Sequence, residues 1–422
     1  MKFFLFTLCL LFVALFSLAR AQDEQLAAPP DEIITDFGIE EFISAPKTTL
    51  SLGIRSLSGA KASFSGRGVI ASFQPGSDFT TPNLNRVYND GNQLADASPQ
   101  TFTYSNGDGT TTTYTGPVTP AGQTNSWSYT DIRQLSPDAS TIDMHAFSAD
   151  IADSGLRQHN PGSGQGIELA MARDMGNLGK RIEWKLIIGA SLNDIKTSTT
   201  DIVNATVTTT TDTYAVNLNG QPPPDSTTTL PYVAPHLLTV PRIDSSGNPV
   251  YDTSGIQYID YVDNSIYLGN VPLGRTTTVT NGTVTDRWDL KGAYFTFRAG
   301  PSLSFLFTDR FRATLGAGVA LIYAGTTYTV DQTYTPDVGD PLVVTATADE
   351  SKLLIGYYAD ATLQYDFTDR AGIYAGAVYQ TGGKYTETAA VSDLQNGSVA
   401  TYKALVDLSR LQGFRMGMNY KF

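Results

Sequence analysis

The sequence is poor in the residues that carry catalytic or metal chemistry. It has one cysteine, Cys9, and three histidines that lie far apart without the spacing of metal ligands. One cysteine can form neither an intrachain disulfide nor a thiolate metal cluster. We therefore expect no cofactor and no enzymatic activity, and a fold held together by core packing and hydrogen bonds.

Basic residues and long apolar runs are also scarce. The 28 Lys and Arg face 41 Asp and Glu, giving a net charge of −13 that argues against nucleic acid as a partner. Lys2, the apolar run 3–18 and the small-x-small site Ala19-Arg20-Ala21 indicate a signal peptide over 1–21. Beyond it, no stretch resembles the roughly 20 apolar residues of a membrane-spanning helix.

Two-residue alternation is abundant instead. Apolar and polar residues that alternate over eight or more positions are typical of a strand with one apolar and one polar face. Such runs exceed the about 5 or 6 residues of a soluble strand and match the roughly 9 to 11 of a membrane-crossing strand. The pattern predicts strands near 140–151, 164–176, 181–199, 285–307, 311–330, 352–367, 371–385 and 405–422.

The connections between these runs alternate in length. Short turns are predicted at 177–179, 308–310 and 368–370, and the phrase Phe-Thr-Asp-Arg occurs at both 307–310 and 367–370. Long polar segments are predicted at 152–163, 200–284, 333–351 and 386–404. This pattern indicates hairpins with tight turns on one side and long loops on the other. Because lipid offers the backbone no water, such strands could cross a membrane only as a closed barrel.

The last strand carries a further signature. Its outward phase is apolar or aromatic throughout and consists of Phe414, Met416, Met418, Tyr420 and Phe422. In this respect the chain, over about 140–422, resembles bacterial outer-membrane β-barrel proteins of the porin-like or small OmpA- and OmpW-type families. The resemblance implies that these five residues are the signal read by the barrel-assembly machinery. It also implies a location in the bacterial outer membrane, with that membrane's lipid as a partner.

The predicted fold is all-β, a transmembrane antiparallel up-and-down β-barrel over 47–422, with short periplasmic turns and long extracellular loops. The core strands lie in 140–422. Alternation at 47–57 and around 126–129 suggests one more hairpin and hence about ten strands, with eight or twelve as alternatives. Long loops are predicted at about 60–124 and 200–284. We expect 22–46 to be a flexible periplasmic segment, with both termini in the periplasm; 47–57 could instead lie in the periplasm.

Charged residues in the polar phase are expected to face the lumen. The candidates are His145, Glu168, Lys185, Arg298, Arg312, Asp366 and Arg415. Opposite charges in a narrow barrel must pair, because an unpaired buried charge costs several kcal/mol. They could form a packed plug or set the selectivity of a small pore. For His145 the polar phase favours a lumen residue over a catalytic one.

Three functions remain open. The barrel could be structural or porin-like, allowing passive diffusion of small solutes. It could instead be an adhesion or interaction protein that displays its long loops at the surface. A secreted soluble β-protein would explain the leader but not the long apolar phases.

Overall fold

A computed structural model describes residues 48–99, 101–105, 111–225, 227–235, 237–255, 257–393 and 397–422. The predicted signal peptide, the segment 22–46 and His236 lie outside the described residues. The described part is built of antiparallel strands and one short 3-10 helix, Ile132–Gln134. None of its helices has the length and apolar character needed to cross a membrane.

The first ten strands include four of the large main sheet, namely the first, second, ninth and tenth, and six short strands between the second and the ninth. They are β1 (Thr48–Ser58), β2 (Lys61–Ala71), β3 (Arg86–Val87), β4 (Gly91–Gln93), β5 (Thr101–Ser105), β6 (Thr111–Thr115), β7 (Gln123–Thr124), β8 (Trp127–Tyr129), β9 (Thr141–Ile151) and β10 (Arg157–His159).

The remaining strands include the longest of the chain. They are β11 (Gly164–Gly179), β12 (Ile182–Asn217), β13 (Tyr232–Val233), β14 (Leu238–Pro241), β15 (Ile259–Val262), β16 (Tyr267–Gly269), β17 (Gly274–Leu306), β18 (Phe311–Tyr334), β19 (Leu342–Asp366), β20 (Ala371–Gln380), β21 (Lys384–Asp393), β22 (Ser398–Asp407) and β23 (Leu411–Lys421).

Eight strands close into a ring, which we call the lower ring. Its order is β1, β23, β20, β19, β18, β17, β12 and β11, and β11 pairs back with β1. Leu52 lies opposite both Met418 and Leu169, so β1 joins the last strand to β11. The amide of Phe422 donates to the carbonyl of Thr48 over 2.9 Å, so these two residues lie at the same end as the short turns.

The strand count of about ten is therefore wrong, and the ring has the eight strands of the alternative. The described part of 47–57 belongs to the barrel, as the hairpin prediction expected for this segment, because Thr48–Ser58 forms β1 of the ring. The predicted strands 140–151 and 164–176 do not both belong to the ring, which contains β11 but not β9. Counting strands from alternation failed here because the sequence does not show which strands become neighbours in the sheet. An interruption in the alternating pattern does not reveal whether the next alternating run belongs to the same ring.

Above the lower ring the sheet continues, and we call this part the upper wall. Here β2, β9, β21 and β22 join the upper parts of the long strands in the order β19, β18, β17, β12, β9, β2, β22, β21. The β-structure is interrupted between the lower ring and the upper wall at 59–60, where Gly59 has φ +96°, and again at 381–383 and 408–410. Much of the polar sequence predicted as loops is thus strand.

The upper wall encloses an apolar core. All eight of its strands contribute buried side chains, among them Phe64, Trp288, Tyr328 and Tyr402. Phe64 stacks between Trp288 and Tyr328, with ring centroids 5.8 and 5.7 Å apart. Such packing is typical of the hydrophobic core of a soluble protein.

The described residues of the segments 72–140 and 218–273 form a further unit, which we call the head. Its four-stranded sheet has the order β13, β8, β4, β3. A second cluster of buried side chains, including Trp127, Tyr129 and Ile266, packs it against Ile142 and Tyr214 of β9 and β12. The hairpin predicted around 126–129 therefore belongs to the head, and the segments predicted as loops over 60–124 and 200–284 contain both wall strands and the head.

The outer face of the lower ring is an apolar belt. On β19 the outward side chains Leu353, Ile355 and Tyr357 are exposed, Ile355 to 72%. Equivalent outward residues on the other ring strands include Ile54, Ile167, Leu192, Phe297, Val319, Ile373 and Met418. Higher on β19 the outward residues Thr347 and Asp349 are polar. The belt therefore ends where the upper wall begins.

Candidate functional site

A buried ion-pair network fills the lower ring and is the candidate site. Glu168, on β11, is 1% exposed and lies at its centre. Its Oε1 atom accepts from Arg415 Nη1 over 2.7 Å and from Arg298 Nη2 over 3.0 Å. Arg55 Nη1 approaches the other oxygen to 3.6 Å. Three arginines from three strands thus converge on one carboxylate.

A second carboxylate completes this layer. Asp360 Oδ2 lies 2.6 Å from Arg298 Nη1 and 2.7 Å from Arg415 Nη2, so each of these arginines bridges two carboxylates. The Arg298 guanidinium also lies over the Tyr358 ring, 5.1 Å from its centroid, and that of Arg415 lies 5.7 Å from the Tyr374 centroid. Planar guanidinium groups suit such bridging, which compensates for their removal from water.

Arg55 also donates to neutral partners. Its Nη1 donates to Ser191 Oγ over 2.6 Å and its Nη2 to Gln380 Oε1 over 2.9 Å. Gln380 Nε2 in turn donates to Thr296 Oγ1 over 3.0 Å. These contacts link β12 and β20 to the network by hydrogen bonds.

A second layer lies nearer the short-turn end. Asp366 Oδ2 is 2.6 Å from Arg312 Nη2 and 2.7 Å from Lys421 Nζ. Lys185 Nζ pairs with Asp174 at 2.7 Å and with Glu183 at 3.1 Å. This layer has three basic and three acidic side chains and is neutral as a set.

Little space remains inside the ring. A cavity of about 60 Å³ is lined by residues of both layers, including Lys185, Arg298 and Arg415. It has room for a few water molecules and not for a solute of metabolite size. Above the network the apolar core around Phe64 fills the upper wall. The interior is therefore packed from the short turns upward.

Six of the seven charged candidates meet in these two layers: Glu168, Lys185, Arg298, Arg312, Asp366 and Arg415. The sequence alone did not single out Ser191, Gln380, Tyr358 or Tyr374 as their partners. All four occupy the inward phase of ring strands, which is the only signal that could have found them. Which inward residues contact one another depends on how the ring closes. The spacing of residues along the chain therefore cannot predict these contacts.

His145 lies elsewhere. It belongs to β9, and its Nδ1 lies 2.6 Å from Asp90 Oδ2 of the head. Burial raises the pKa of Asp90, and the contacts with His145 oppose that shift. His145 therefore joins wall and head and takes no part in the ring network. His159 forms the end of β10, and no group of three or more His, Cys, Asp or Glu in the described residues could hold a metal ion.

Four residues of the predicted assembly signal lie on the outer face of β23, and the fifth, Phe422, directly follows its last residue. Phe414, Met416, Met418, Tyr420 and Phe422 are each exposed. The intervening Arg415 and Asn419 are buried in the lumen. The alternation of apolar and polar residues in this strand is therefore an alternation between the outer face of the barrel and its lumen.

Comparison with known proteins finds only distant likenesses. No family model matches the sequence, and no curated protein is similar to it. Among solved structures, the outer membrane protease OmpT from Escherichia coli covers 89% of this chain and 97% of its own, with 8% identity and a TM-score of 0.26. A Pseudomonas aeruginosa FadL homologue covers 90% and 91%, with 10% identity and a TM-score of 0.16. At such TM-scores the likenesses carry no argument about fold or function.

Proposed function

We propose that this chain is an integral protein of the bacterial outer membrane whose closed barrel anchors a folded head at the cell surface. The observation that carries the proposal is the apolar belt around the lower ring. A soluble protein seldom leaves such a continuous apolar surface in water, whereas lipid requires one. The proposal assigns no catalytic role to any residue.

The filled interior favours anchoring over porin-like diffusion. An eight-stranded barrel is just wide enough for its own side chains, and here two layers of ion pairs occupy that width. A solute would have to break several buried ion pairs at once, which costs several kcal/mol for each. Structural and surface roles therefore suit the barrel better than passive transport.

The head favours a role at the surface. Large side chains such as Ile243, Tyr251 and Ile259 are exposed on it, in the segment that connects β12 to β17. Exposed apolar residues on a unit held out from a rigid scaffold are typical of an interaction surface. We propose binding to other surface molecules as the purpose of the head, with the barrel as its support.

Cell fractionation tests the membrane location. The protein should appear in the outer-membrane fraction of expressing cells, and its unboiled band should shift on boiling, since a closed barrel resists detergent until it is heated. Protease added to intact cells should cut within 218–273 and leave the lower ring protected. A soluble periplasmic protein without a band shift would overturn the proposal.

Planar bilayer recording separates the two membrane roles. The folded protein should give no regular conductance steps, because the ring interior is packed. Deleting 222–262 from the head should preserve the band shift while removing surface binding in a cell-adhesion assay. Reproducible single-channel steps from band-shifting protein would instead support porin-like diffusion.

A further inference from the structure

The repeated phrase Phe-Thr-Asp-Arg forms the same turn twice at the short-turn end. Thr308 Oγ1 accepts from the amide of Phe311 over 3.0 Å, and Thr368 Oγ1 accepts from that of Ala371 over 2.8 Å. The amides of Phe307 and Phe367 donate across these turns over 3.0 and 3.1 Å. The two turns therefore hold Arg310 and Arg370 at equivalent positions.

The two turns adjoin each other in the ring. The carbonyl of Arg310 accepts from the amide of Asp366 over 2.8 Å, just before the second turn. The strands that follow the turns, β18 and β20, are separated only by β19, so Arg310 and Arg370 lie two strand spacings apart, roughly 10 Å. Two arginine side chains at that spacing can reach one group between them.

Both guanidinium groups are available. Arg310 and Arg370 are exposed, and neither forms an ion pair with any of the described residues. Asp309 and Asp369 lie in the same turns, but the exposed Lys180 and Arg181 of the neighbouring turn add to the positive charge of this rim. The rim is thus basic on a chain whose net charge is −13.

An apolar groove begins directly above these arginines. Its volume is about 570 Å³ and it crosses the outer face of β18, β19, β20, β23 and β1. Phe311, the residue after Arg310, lies at one side, and Ile373 and Met418 continue the same row across the sheet. One row higher, the short side chain of Ala375 lies between Leu363 and Met416 and leaves the groove deep.

We propose that this surface binds one anionic phospholipid, with its phosphate between Arg310 and Arg370 and an acyl chain in the groove. Paired arginines bind phosphate oxygens through charge-assisted hydrogen bonds, and the groove continues the belt that faces lipid. The inference rests on the proposed membrane location. It adds a specific headgroup and a specific place on the ring.

Native mass spectrometry of the detergent-folded full chain tests the site. Phosphatidylglycerol and phosphatidylcholine are titrated separately, and the fraction of protein that retains lipid is measured. Phosphatidylglycerol should be retained preferentially. The double variant Arg310→Gln/Arg370→Gln should lower its apparent affinity about tenfold, as expected for lost contacts to a charged group. The control Arg67→Gln/Arg287→Gln removes two exposed arginines of the upper wall and should change nothing.

A second pair of variants tests the groove. Ala375→Trp should fill it and lower phosphatidylglycerol retention, whereas Ala359→Trp, on the belt but outside the groove, should not. Equal retention of both lipids, an unaffected arginine variant or an unaffected Ala375→Trp would overturn the inference. The inference would also be overturned if millimolar inorganic phosphate displaced bound phosphatidylglycerol as effectively as short-chain phosphatidylglycerol does. The boiling shift, measured on each variant, reports the barrel itself and so separates this failure from that of the membrane proposal.

Discussion

The lower ring and the upper wall share the four long strands β12, β17, β18 and β19 but have opposite polarity. Along β12, Lys185 and Val203 both point inward, one into an ion-pair network and the other into an apolar core. On its outer face, Leu192 lies in the apolar belt, while Thr206 is a polar residue of the upper wall. The alternation does not change phase between these positions, and under the proposed membrane location what changes is the medium outside. Lipid demands an apolar exterior, and water permits an apolar interior.

The largest expected effect comes from breaking the network of the lower ring. Glu168→Ala leaves Arg298 and Arg415 paired with Asp360 alone and removes the carboxylate beside Arg55, and we expect a loss of about 3–5 kcal/mol in unfolding free energy. Urea unfolding in lipid vesicles measures it. As a contrast, Lys352→Ala removes an exposed partner of Glu350 and should cost under about 1 kcal/mol. Equal losses would mean that the buried network does not hold the ring.

An arginine substituted on the outer face should destabilise the protein where that face contacts lipid and not where it contacts water. Ala361→Arg places a charge in the middle of the belt on β19, between Leu353 and Phe367, and should cost about 2–4 kcal/mol in vesicles. Thr347→Arg, on the same face of the same strand in the upper wall, should cost almost nothing. The yield of protein with a boiling shift and the unfolding midpoint measure both. A large loss for Thr347→Arg would place lipid, and not water, around the upper wall.

Acidity should affect the upper wall through a buried carboxyl. Burial raises the pKa of Glu387 from its ordinary 4.5 to about 7, its bond from Thr326 lowers it, and Glu350 and Asp349 raise it further. The folded state therefore favours the protonated group. Its stabilisation is fully present below pH 4.5 and is lost as the pH rises through about 7.

Unfolding midpoints between pH 4.5 and 8 should therefore fall for the native chain and fall less for Glu387→Gln. Asp286, whose pKa burial raises to about 6, contributes in the same direction. The slope should be smaller still in Glu387→Gln/Asp286→Asn, and Asp90, whose pKa burial also raises, should contribute to what remains. An unchanged slope in the double variant would show that neither carboxyl is protonated in the folded wall.

The smallest effect belongs to ion pairs on the outside of the upper wall. Lys384 Nζ lies 2.9 Å from Asp407, but the lysine side chain is 57% exposed. Lys384→Ala should cost under about 1 kcal/mol, and salt near 1 M should remove the difference by screening. Denaturant titration at two salt concentrations measures it. A loss that survives high salt would indicate a contact beyond the charge pair.

Much of the lower ring follows from the sequence. The alternation predicted which residues of β18, β19 and β23 face outward, and it placed six of the seven charged candidates inside. It also predicted that these charges must pair. The number of strands did not follow, because a long stretch of chain, from Ser58 to Gly164, separates β1 from β11, the next strand of the lower ring, and because polar Thr-rich strands resemble loops.

Alternation along the chain, together with the apolar character of one phase, was enough to specify strands with an outer and an inner face, because the period of a strand is a local property of the backbone. Closure of β11 onto β1, the partners of Glu168 and the packing of the head are different. They depend on residues that are distant in sequence and meet only when the sheet curls, so only the tertiary structure decides them.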